Sequence, residues 1–327
     1  MEDSQRLAVG LAYLVPPVIF APFQIRIVYI FLTKAEFRHL ECYRIMAMIS
    51  TCNVVYGLCF IPFGITVLTQ NELVGVTITV FKLWMATWAA ILALDLSLAV
   101  NRLRLICKVH FLWTVSKYLP FGAFVYPVLL FITMLTPWTG IVFLEGKVFF
   151  TYETQKPLSD IVKRIHGYHN FVCVFLTLGI YVIITAYLLI QKIRFKSMGI
   201  ASSERLVVAQ AFIKFSGNFL VILCMNSFGH FFEQSFWAMA AIPLFQIFNL
   251  LIMPLIVYIG FNRSLQKMFF EKHVDVWTST FSNVYFRYNK IAYTLIVLCK
   301  SMSGRPGSRV AEPSISTAVD GIGEILH

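Results

Sequence analysis

The chain has 327 residues, of which 58% are apolar or aromatic and only 13% charged, with a mean hydropathy of +0.75. A water-soluble domain usually carries about a quarter charged residues, so the composition excludes an ordinary soluble enzyme. Lys and Arg outnumber Asp and Glu by 27 to 16, a formal charge of +11, which in a membrane protein reads as loop bias and not as a nucleic-acid surface.

A helix needs roughly 20 mostly apolar residues to cross a hydrocarbon core about 30 Å thick, and runs of that length recur along the chain. The first covers Ala8–Leu32, with Pro16, Pro17 and Pro22 inside it; neighbouring helices can satisfy the carbonyls that proline frees. The start at Met1-Glu2-Asp3 leads into a run too long for a cleavable leader, so it is read as the first span. The second span is Ile45–Leu68, broken near Pro62, and the third is Leu73–Val100. The fourth is Leu119–Leu144, the fifth His169–Ile190, the sixth Leu206–Phe228 and the seventh Phe236–Gly260. After it, Leu265, Met268 and Phe269 form an apolar stripe flanked by Arg263, Lys267 and Lys272, the pattern of an amphipathic helix on a membrane surface. Ile291–Cys299 is apolar but too short to span, and the Ser/Gly/Pro-rich Ser301–Ser316 reads as disordered. The expected fold is therefore an all-α membrane protein, a seven-transmembrane helix bundle. Residues 1–7 form a short N-terminus, 8–260 the bundle, 261–300 a surface helix and tail, and 301–327 a disordered end.

Basic residues give the orientation. Loops 33–44, 101–118 and 191–205 and the tail from 261 hold 19 Lys and Arg, whereas the N-terminus and the loops on the other side hold five. The positive-inside bias then places the 19-charge side in the cytoplasm and the N-terminus outside.

No enzyme motif is present: there is no GxSxG, no HExxH and no phosphate loop. The seven cysteines include no CxxC and read as small apolar residues or reduced thiols. His166 and His169 share a helix face at the entry to span five and read as an interfacial pair. No cofactor and no metal is expected. The sequon Asn262-Arg263-Ser264 falls on the cytoplasmic side and is expected to be unmodified.

Ionisable groups inside the bilayer are costly unless paired or hydrated, and so mark function. Asp95 lies two turns before Arg102 on the same face of span three, about 10 Å deeper. Lys214 in span six is at a comparable depth. An Asp95–Lys214 pair is one reading; in the other, Asp95 bonds to a polar neighbour or water while Lys214 snorkels. Lys82 sits near the outer end of span three, where it either lines a pocket or snorkels outward, and Arg26 snorkels at the inner end of span one. Trp84 and Trp88, with Phe228, Phe231, Phe232 and Trp237, read mostly as interfacial anchors, and with Lys82 they also suit a pocket for a small apolar ligand.

In this order and topology the chain resembles a G-protein-coupled receptor, and more narrowly the nematode serpentine chemoreceptors of class T (Srt) in the Srg superfamily. The resemblance spans Glu36–Phe269. It is carried by Glu41-Cys42-Tyr43-Arg44-Ile45-Met46 at the entrance to span two, Asn101-Arg102 closing span three, Gln210 in span six, Asn249, Pro254 and Tyr258 in span seven, and Phe261-Asn262-Arg263-Ser264.

The resemblance implies a sensory receptor in the plasma membrane of a sensory neuron cilium. It would bind a small-molecule extracellular ligand, activate a heterotrimeric G protein, and have no nucleic-acid partner. Asn101 and Arg102 would meet the G protein. Asn53, Asp95, Lys214, Asn249, Pro254 and Tyr258 would form a switch network, and Lys82, Trp84, Trp88, Phe232 and Trp237 would line the ligand pocket. The chain departs from the rhodopsin-like pattern in four places. Asn101 replaces the acidic partner of the motif Arg, span seven lacks Asn before Pro254 and carries Tyr258 one residue late, span six has no proline, and no cysteine pair is placed for the outer disulfide. The alternative is a transporter or ligand-gated channel using Asp95, Lys82 and Lys214 as its path; it lacks the internal repeats and paired broken helices of transporters.

Overall fold

The computed structural model describes residues 3–69, 75–143, 150–194, 215–223 and 236–270. Within them, six helices are long and apolar enough to cross a membrane, and residues 215–223 supply a helical stretch of the expected sixth span.

Span one is a single helix, Asp3–Thr33, and runs unbroken through its three prolines. Span two is two helices, Glu41–Leu58 and Phe60–Thr69, parted at Cys59. Span three is Val76–Cys107. Span four is the pair Leu112–Gly122 and Val125–Leu135, and span five is Ser159–Arg194. Span seven begins as the helix Phe236–Ile247, widens into a π turn at Phe248–Ile252 and continues as Met253–Phe261. The surface helix follows as Arg263–Phe270.

The helices outrun the apolar windows at their polar ends. The basic loops expected at 33–44 and 101–118 are largely helical, because Glu41–Arg44 forms the first turn of span two and Asn101–Cys107 the last two turns of span three. Hydropathy marks where a helix meets lipid, whereas backbone hydrogen bonding carries it on into the headgroup layer.

Span three is the axis of the bundle. Its apolar window is 72% buried, against 28% for span four and 33% for span five, and it packs on spans two, four and five. Span one lies against both halves of span two. Gly64 and Gly10 allow that approach: a Cβ on Gly64 would sit 2.9 Å from the Gly10 carbonyl oxygen.

Two short antiparallel strands, Ile141–Phe143 and Phe150–Tyr152, pair with Ile141 opposite Tyr152 between spans four and five. The first strand corrects the expected end of span four at Leu144, since the helix stops at Leu135, and the second falls in the expected loop. They are tied to span five by the Gly140 amide, which donates to the buried Ser159 hydroxyl at 3.0 Å.

At the basic end, Phe31, Phe37, Tyr43 and Tyr258 stack into one aromatic group, joining spans one, two and seven. Asn262 ends span seven and opens the surface helix: its side-chain oxygen accepts from the Leu265 amide at 3.1 Å, and its Nδ2 donates to the Tyr43 hydroxyl at 3.2 Å. Leu265 and Phe269 are buried, with Arg26 of span one lying over the Phe269 ring at 5.1 Å. No disulfide joins the described cysteines. Lys214, Phe228, Phe231, Phe232, Ile291–Cys299 and the tail from Glu271 lie outside the described residues.

Candidate functional site

One line of polar side chains crosses the bundle core from span three to span seven. Asp95 on span three accepts a hydrogen bond from Nδ2 of Asn218 at 2.8 Å, and Asn218 Oδ1 accepts from Nδ2 of Asn249 at 2.6 Å. A carboxylate and two amides thus bridge spans three, six and seven. Asn218 and Asn249 are both 2% exposed, so their amides lie where an unmet donor is costly. Gly217 makes room for the chain, since a Cβ there would collide with the Asn249 amide.

A small cavity, about 30 Å³ and large enough for roughly one or two waters, adjoins Asp95 and Asn218 and is lined further by Thr177, Tyr181 and Phe215. Lys214, proposed as the partner of Asp95, lies outside the described residues. Asn218, one turn further along span six, is the neutral neighbour the alternative reading allowed. Its amide escapes a search confined to ionisable groups, although residues four apart share a helix face.

Beside this line, Asn249 and Leu251 lie in the π turn just ahead of Pro254. Gln24 of span one, fully buried, donates to the Leu251 carbonyl oxygen at 2.9 Å. Tyr56 of span two donates to Gln246 at 2.7 Å. Neither Gln24 nor Tyr56 was singled out from sequence. Asn53 is fully buried, and both of its side-chain polar atoms lack a hydrogen-bond partner among the described residues; the structure does not join it to the Asp95 line.

At the basic end of span three, two arginines two residues apart do different work. Arg104 pairs with Glu41 of span two at 2.7 Å, donates to Ser116 of span four at 2.8 Å, and lies over the Trp113 ring at 4.8 Å. Asn101, fully buried, donates to the same Glu41 carboxylate at 3.1 Å. Arg104 thereby fastens span three to spans two and four, with Glu41 as the anchor on span two. Arg102 is half-buried and lies within electrostatic range of Cys42, Tyr181 and Tyr258, on spans two, five and seven.

Toward the opposite end, Trp84 and Trp88 are 6% and 5% exposed and pack with Tyr56, Phe60, Phe63 and Phe81. Reading them as interfacial anchors is corrected: they are core residues between spans two and three. Trp237 is exposed and Lys82 partly so. His166 is 8% exposed, which corrects the interfacial reading of the histidine pair as well.

These features define a multi-pass membrane protein with the rhodopsin-type bundle fold. Among solved structures, squid rhodopsin is similar, with a TM-score of 0.67 over 85% of this chain and 88% of that one, at 12% sequence identity. No family model matches the chain, and no curated protein sequence is similar to it.

Proposed function

We propose that the chain is a chemosensory G-protein-coupled receptor. It binds a small ligand outside the cell and activates a heterotrimeric G protein inside. The observation that carries this reading is the Asp95–Asn218–Asn249 line, a part-buried carboxylate and two buried amides holding spans three, six and seven together in a rhodopsin-type bundle. Such a link gives the bundle two arrangements, linked and parted, and a ligand that binds one more tightly shifts the balance between them.

The basic end faces the cytoplasm and the N-terminus lies outside, in keeping with the 19 against five basic loop residues. Arg102, among spans two, five and seven at that end, is the G-protein contact, and Asn101 holds Glu41 behind it. The Glu41–Met46 run supports membership of the Srt group of nematode chemoreceptors, and with it a place in the plasma membrane of a sensory cilium.

A ligand screen in cells carrying a promiscuous G protein tests the reading. Ligand-evoked signalling is expected from the native chain. It should vanish in Arg102→Ala, with surface expression retained. Signalling that persists in that variant overturns the role of Arg102, and an N-terminal tag reached by antibody only after permeabilisation overturns the orientation.

A further inference from the structure

We propose that a second polar site, between spans four and five beneath the strand pair, recognises the carboxylate of a small apolar acid. Its use as the recognition end of a receptor rests on the function proposed above; its chemistry does not.

Span five presents His166, His169, Asn170 and Cys173 in one connected run. Asn170 Nδ2 lies 3.2 Å from His166 Nε2, Asn170 Oδ1 lies 3.5 Å from His169 Nδ1, and His169 Nε2 lies 3.6 Å from the Cys173 sulfur. An amide nitrogen only donates and an amide oxygen only accepts, so with the Asn170 amide oriented as it stands these contacts assign both tautomers. The Cys173 thiol donates to His169, His169 Nδ1–H to Asn170, and Asn170 to His166 Nε2. The remaining proton of His166 is therefore on Nδ1, and that buried N–H meets no acceptor among the described residues.

Two phenols join it. The Tyr126 ring of span four lies flat on His169, centroids 4.1 Å apart, and the Tyr152 phenol comes from the second strand within electrostatic range of Tyr126. Both hydroxyls are sealed from solvent and have no hydrogen-bond partner among the described residues. Burial raises the Tyr152 phenol well above its usual range, so it stays a donor.

Three buried donors with nothing to give to are costly, at roughly 1–3 kcal/mol each. The complement they lack is an acceptor, and a carboxylate offers about four lone-pair sites. The surroundings select its charge and its tail. Lys82 of span three and Lys156, just after the strands, lie within electrostatic range of each other. Lys156 meets Glu153 at 3.4 Å, and among the described residues no acid pairs with Lys82, so an anion is drawn in and a cation repelled. Ile141, opposite Tyr152 in the strand pair, and Val162, one turn before His166, are buried and suit an apolar chain.

Butanoate, hexanoate and octanoate are the probes, with hexanol and hexylamine as matched controls, added to the full chain in lipid nanodiscs while thermal unfolding is followed. Hexanoate should raise Tm by several degrees and neither control should. Tyr126→Phe and Tyr152→Phe remove only an unmet hydroxyl. Without probe they should melt no lower than the native chain, and with it they should bind hexanoate about tenfold more weakly. Lys82→Met should weaken binding several-fold. The proposal is overturned if none of the three acids shifts Tm, if the controls shift it equally, or if both Phe variants bind as the native chain does. It is also overturned if the Phe variants melt well below the native chain, because the hydroxyls would then be holding internal water. No G protein enters the measurement, so failure here leaves the receptor reading standing, and loss of signalling in Arg102→Ala leaves this site standing.

Discussion

Asn218 donates to Asp95 across the interface of spans three and six, at 2.8 Å, and is itself held by Asn249 of span seven. Replacing Asn218 by Leu keeps its branched shape and removes the donor. The melting free energy in detergent should fall by roughly 1–2 kcal/mol, the range for hydrogen bonds between membrane helices. Asp95→Asn in the Asn218→Leu background should recover part of that loss, since a neutral amide beside leucine costs less than a carboxylate. A double variant no more stable than Asn218→Leu alone would show that Asp95 does not depend on this amide.

Gly217→Ala should reproduce the loss from Asn249→Ala without touching any polar group, because the added methyl displaces the Asn249 amide. Gly122→Ala meets nothing within 4 Å and serves as the control. Thermal unfolding of the three variants side by side makes the comparison; equal stability of both glycine variants would remove the close approach as a constraint.

Glu41 and Arg104 form a part-buried ion pair with side chains 28% and 10% exposed. Charge pairs of this kind are worth more than surface pairs, and removing one partner leaves the other stranded. Arg104→Met and Glu41→Gln should each lower stability by about 1–3 kcal/mol. A double-mutant cycle should return a coupling of roughly 1 kcal/mol or more; a coupling near zero would mean that Ser116 and Trp113 hold Arg104 without Glu41.

Gln24 bonds the Leu251 carbonyl inside the π turn of span seven. Gln24→Leu should destabilise the chain by roughly 1 kcal/mol, within the range for bonds between membrane helices. Amide exchange at residues 250–256 should rise selectively in that variant, and uniform exchange across span seven would contradict the role.

Six of the spans were legible because apolar run length is a local property, and the amphipathic stripe at Leu265, Met268 and Phe269 was legible because its spacing is local too. What sequence concealed depends on pairing between distant segments. Glu41 was read as a loop residue, so its bond to Arg104, 63 positions on, had no geometry to suggest it. Asn218 and Gln24 are neutral amides in apolar runs and carry no charge to draw notice. Trp84 and Trp88 show the opposite error: position near a membrane face suggested anchoring, whereas the phase of span three turns both inward. The strands at Ile141–Phe143 and Phe150–Tyr152 are too short for alternation to mark them.

The wide turn at Phe248–Ile252 inserts surplus winding into the seventh helix, and one residue corresponds to about 100° of rotation. The half bearing Tyr258 is therefore set at a different azimuth from the half bearing Phe236–Ile247. Rewinding that coil into ordinary α geometry would swivel Tyr258 away from Phe31, now 5.9 Å off, while Tyr56 kept its grip on Gln246 above. A torsional joint of this sort lets one end of a rod be steered while the other is clamped.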